Sequence, residues 1–133
     1  MLGREDMVLE GTPNTDDVDR LLRPFRALWP DAVAVQADRE ADPVQLSTPE
    51  WTHVRSWAEF LVCRDSDALR SWATQVRTEE NDGSMVHILV APDSLTVVVD
   101  SSDSPTGRIV SQCFSALRFN RALHSVAKDH SPW

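Results

Sequence analysis

The sequence predicts a single α+β domain of two layers, with a mainly antiparallel sheet of four to five strands and three helices, in the order α-β-β-α-β-β-α. Three observations predict it. Three stretches carry apolar residues at helical spacing, short β-rich runs lie between them, and Pro92-Asp93 separates two of those runs as a hairpin turn. With 133 residues, 41% hydrophobic and 26% charged, the chain has ordinary globular composition and the length of one domain. The expected organisation is a flexible leader over 1–14, the domain over 15–128 and a tail over 129–133.

The leader is polar, contains Gly11 and Pro13, and shows no sustained period. Thr15 is the expected N-cap of a first helix over 16–29, because Asp16, Asp17 and Asp19 suit the positive end of its dipole. Val18, Leu21, Leu22, Phe25 and Leu28 form its stripe and Pro30 stops it. Pro24 removes a backbone donor and crowds the Arg20 carbonyl, which predicts a kink or a division into two pieces.

A short strand follows over 32–37, then a solvated connection over 38–50 that holds an edge strand around Val44 to Leu46. From Trp57 to Arg64 the chain is apolar on both sides, as in a central strand whose second face is partly covered. Asp65 or Ser66 caps a second helix with a stripe of Leu69, Trp72, Ala73 and Val76. Met85 to Val90 and Leu95 to Val99 form the antiparallel hairpin. A ferredoxin-like arrangement of the segment from 57 onward is one option for the topology.

The last helix spans Arg108 to Lys128. Its Ile109, Val110, Cys113, Phe114 and Leu117 share one side, whereas Phe119, Ala122, Leu123 and Val126 rotate to nearly the opposite side. Either the helix breaks near Arg118 and returns both faces to one core, or a second apolar face is left for a partner or a second copy.

The net charge is −8 and is unevenly spread. Residues 1–103 carry nine basic and twenty acidic side chains, and residues 104–133 carry Arg108, Arg118, Arg121 and Lys128 against Asp129. Such a field repels phosphate backbones and speeds encounter with cationic macromolecules. The expected partner is a basic protein and not a nucleic acid, with a homodimer through the last helix as the other association. No run approaches the roughly 18 apolar residues of a membrane span, and the opening residues lack a signal-type apolar region, so no membrane partner and a cytoplasmic location are expected.

No motif specifies a chemistry, and the expectation is no cofactor and no metal. His53, His87, His124 and His130 have no zinc-type spacing, and the loop with Asp100 and Asp103 lacks the pattern of a calcium loop. Cys63 and Cys113 fall at packing positions, where a thiolate is disfavoured. His87 is the best isolated base, and Glu59 is a carboxylate on an otherwise apolar strand face that points to a sheet edge or pairs with an arginine. A small hydrolase using His87, His53 and Glu59 is the enzymatic alternative.

In size, acidity and α+β layout the chain resembles the immunity proteins with which bacteria inhibit basic toxins. That resemblance rests on character and not on a shared motif. It implies a non-catalytic inhibitor that presents Asp38, Glu40, Asp42, Glu79, Glu80 and Asp82 to a basic surface, with Trp51 as an apolar anchor. The order helix, strands, helix, hairpin, helix is also similar to that of dimeric secretion chaperones, which implies a second binding reading.

Overall fold

The computed structural model describes residues 5–36, 42–49, 58–74 and 83–129, with the backbone alone at 15, 74 and 120–129. Strand β1 (Glu5–Glu10) leads into helix α1 (Thr15–Leu28), followed by β2 (Val33–Gln36), β3 (Val44–Gln45) and β4 (Glu59–Cys63). Helix α2 (Ser66–Thr74), β5 (Met85–Ala91), β6 (Ser94–Val99) and helix α3 (Pro105–Asp129) complete the order. The class is α+β, as expected. The sheet has six strands in place of four to five, ordered β1-β6-β5-β4-β2-β3, and every neighbouring pair is antiparallel.

The extra strand at the start falls where a flexible leader is expected. Only Met7 and Leu9 of β1 face the main core, so the run shows almost none of the alternation by which a strand is recognised. Pairing with β6 from Glu5↔Val99 to Glu10↔Ser94 supplies what the pattern lacks.

Alternation along the central strands divides the interior. Phe60 and Val62 of β4, Val86 and Ile88 of β5, and Leu95, Val97 and Val99 of β6 face α1 and α3. Val33 and Val35 of β2, Leu61 and Cys63 of β4, and Met85 of β5 face Ala68, Leu69 and Trp72 of α2. The helices therefore cover both faces, and the domain has three layers in place of two. This is why β4 is apolar on both sides.

Residues Cys63 and Met85 are paired, so α2 returns the chain to the adjacent antiparallel strand. A ferredoxin-like unit needs its helix to cross over to a parallel strand, and that option is set aside.

Asn14 caps α1 in place of the expected Thr15. Its Oδ1 accepts from the Asp17 amide at 2.9 Å, and Asp17 Oδ2 accepts from the Asn14 amide at 3.0 Å, forming a capping box. The helix continues through Pro24 to Leu28, without the predicted division, because its buried face compensates for the missing donor. Leu21, Leu22 and Phe25 are fully buried, each worth about 1.5–3 kcal/mol relative to exposure. Trp29 closes the stripe with its ring 4.9 Å from that of Phe25.

Asp65 caps α2 through Oδ1, which accepts from the Ala68 amide at 2.8 Å. Helix α3 begins at Pro105, earlier than its apolar pattern announces, and runs unbroken past Arg118. Of the two readings the break is absent, and Phe119 stands 64% exposed.

Candidate functional site

Two places on the sheet bring polar side chains into defined geometry. The first is built by β4 and β5. Leu61 pairs with His87 and Glu59 with Leu89, so Glu59 and His87 are diagonal neighbours on the α2 side of the sheet. Nε2 of His87 lies 2.8 Å from Oε1 of Glu59, with 30% and 38% of the two side chains exposed. The two atoms are at hydrogen-bonding distance, with the direction of the bond set by the tautomer of the ring.

This arrangement brings together two of the three side chains named for the enzymatic alternative. Among the described residues Glu59 thus pairs with a histidine and not with an arginine. His53, the third member of that prediction, lies outside the described residues. Among the described residues no three His, Cys, Asp or Glu side chains gather as a metal site. Cys63 is buried under α2, and burial pushes the half-buried Cys113 thiol up, with its Sγ 3.7 Å from the Leu21 carbonyl. Neither cysteine is in a disulfide, and both lie in packing positions.

The second place is the β1 edge. Arg118, on the flank of α3 beside Phe114, donates from Nη2 to the Val8 carbonyl at 2.8 Å, its guanidinium 5.7 Å from the Phe114 ring centroid. Val8, Leu9, Glu10 and Arg118 line a cleft of about 420 Å³ there. Acidic groups follow the edge from end to end. Glu5 Oε2 accepts from the Ser102 amide at 3.2 Å, which brings the loop holding Asp100 and Asp103 to one end. The Gly11 amide donates to the Asp93 carbonyl at 2.8 Å, which brings Asp93 to the other. Glu5, Asp6, Glu10, Asp93 and Asp103 are exposed.

Of the residues expected to bind a partner, Asp42 is exposed just before β3, at the opposite edge of the sheet from β1. Asp38, Glu40, Trp51, Glu79, Glu80 and Asp82 lie outside the described residues. The β1 edge was not foreseen. Its acidic letters were visible, but they belonged to a segment expected to be a leader.

In the loop of Asp100 and Asp103 the side chains hold the start of α3. Ser104 Oγ donates to Asp100 Oδ1 at 2.6 Å and accepts from the Gly107 amide at 2.9 Å. No described helix is long and apolar enough to cross a membrane. No protein-family model matches the chain, and no curated protein or solved structure matches it either.

Proposed function

We propose that the chain is a non-catalytic, acidic protein-binding module that inhibits or sequesters a basic protein, in the manner of an immunity protein. The observation that supports this most directly is the excess of acids along the β1 edge, where Glu5, Asp6, Glu10, Asp93 and Asp103 are exposed and Arg118 is the one cation placed on it among the described residues, in a chain whose net charge is already −8. A surface with an excess of one sign of charge raises the encounter rate of an oppositely charged protein and opposes nucleic acid. The test is to tag the chain in its native host and identify what co-purifies. A stoichiometric basic protein, released by high salt and inactive while bound, is the expected result. Recovery of the chain alone, or with nucleic acid, overturns the reading.

A second reading is favoured by Phe119, which stands 64% exposed on a helix that continues for another ten residues. An exposed ring on a long helix suits the dimer interface of a secretion-chaperone-like protein. Light scattering separates the two, since the inhibitor reading expects a monomer and the chaperone reading a dimer that Phe119→Asp dissociates.

A further inference from the structure

We infer that β1 is a docking strand: an extended, lysine- or arginine-rich segment of the partner adds beside it as a seventh strand. The inference rests on the protein-binding reading above and names the part of the surface that does the binding.

Backbone direction along β1 follows from two observations. The Val8 carbonyl accepts from Arg118, and in an antiparallel strand the amide and carbonyl of one residue point to the same side. Val8 therefore faces away from β6, as does Asp6 two residues earlier, while Glu5, Met7 and Leu9 face β6 and make the ladder. The same register sends Thr96, opposite Val8, toward Leu89 of β5. Among the described residues β1 is the outer strand of the sheet, and the outward groups of Asp6 and Val8 form a template that a further strand can complete.

Three features fit the template to a cationic strand. Val8 is 40% exposed, so its side chain is reachable by an incoming chain once Arg118 gives up the Val8 carbonyl. The cleft beside Val8, Leu9, Glu10 and Arg118 offers room for its side chains. Asp6 and Glu10 flank Val8 on one face, where lysines or arginines at alternate positions of the new strand would oppose them. Arg118 now occupies the Val8 carbonyl as a single cationic donor, in the place that an incoming backbone amide would take.

A second copy of this chain is the wrong occupant. An antiparallel β1 pair centred on Val8 would set Asp6 against Glu10 twice, and like charges directly opposite one another are destabilising.

The probe is a labelled octapeptide of alternating lysine and valine, titrated by fluorescence anisotropy at low and physiological salt. Binding is expected to weaken with salt, and Asp6→Lys combined with Glu10→Lys is expected to reduce it by about tenfold or more, the change from one lost charge-assisted contact. Val8→Pro removes only an outward amide, so its circular dichroism should stay native while peptide binding falls by about tenfold or more. Val8→Ala keeps that amide and should bind within about threefold of the parent, since only the exposed side chain is trimmed. Hydrogen exchange should show the Asp6 and Val8 amides newly protected by peptide, with Met7 and Leu9 protected already. Absence of binding, or binding without protection of Asp6 and Val8, overturns the inference, and so does self-association through β1. If the native partner is captured by the Val8→Pro variant as well as by the parent, strand addition fails while the protein-binding reading stands. If peptide adds at β1 but no basic partner is ever recovered, the reading fails and the docking strand remains.

Discussion

His87 and Glu59 are 28 positions apart in sequence and 2.8 Å apart in space, because the β4–β5 register makes them diagonal neighbours on one face of the sheet. Both side chains are about one-third exposed, so solvent screens their attraction. A double-mutant cycle with Glu59→Gln and His87→Gln, read by urea denaturation, is expected to give a coupling of about 0.2–1 kcal/mol. A coupling several times larger would mean that the pair is shielded from water and holds the sheet together.

The capping box at the start of α1 carries more. Asn14 satisfies the Asp17 amide, and Asp17 returns a bond to the Asn14 amide while its own side chain is buried. Asn14→Ala should reduce stability by about 1 kcal/mol and Asn14→Asp by much less, since aspartate accepts the same bond. The midpoint of chemical unfolding measures both. Equal losses would show that the side-chain amide has another role at that position.

The legible parts of this fold are those where burial leaves a pattern. Val18, Leu21, Leu22 and Phe25 announce α1, and the β-branched runs on either side of Pro92-Asp93 announce the hairpin. The apolar letters on both sides of β4 foretold cover on its second face, yet not that α2 would supply it. Strand β1 was hidden because acids occupy every exposed position but Val8 and only Met7 and Leu9 reach the core. The Ser104-Pro105 start of α3 was obscured by Gly107, a poor helix former that is present for steric reasons. The Glu59–His87 pair and the Arg118 contact to Val8 depend on register and on helix placement, which no local run of residues encodes.

Asp65 connects α2 to pH. The Ala68 amide bonded to its Oδ1 holds the carboxyl below the ordinary aspartate value of 3.8, with Arg64 contributing in the same direction. A carboxyl whose folded value is depressed adds stability that is fully present above the unfolded value and is lost as pH falls through the folded one. The α2 amides at its first turn should therefore stay protected on acidification past 3.8 and lose protection only below it. In Asp65→Asn that acid step should vanish from the exchange profile of Ala68. If the profile of the variant keeps it, another carboxyl is responsible.

Gly107 tests how the loop before α3 is joined to the sheet. A Cβ built there would lie 1.8 Å from the Ser101 carbonyl oxygen, 2.7 Å from its carbon and 2.8 Å from Ser102 Cα. All three are backbone atoms, so no change of rotamer relieves the overlap and the loop itself must move. That loop is held by the Ser104 hydroxyl on Asp100 and by the Ser102 amide on Glu5, while Thr106 Oγ1 donates to the Gly83 carbonyl at 3.1 Å. Gly107→Ala is therefore expected to destabilise by about 1–3 kcal/mol, although alanine favours a helix over glycine by about 1 kcal/mol in open surroundings. Gln112→Ala, on the exposed flank of the same helix, should stay within about 0.5 kcal/mol of the parent. Because the displaced loop carries the Ser102 contact to Glu5, hydrogen exchange should speed up at the start of β1 in Gly107→Ala and not in Gln112→Ala. Unchanged exchange at Glu5 with full loss of stability would show that the loop and the β1 edge are mechanically separate.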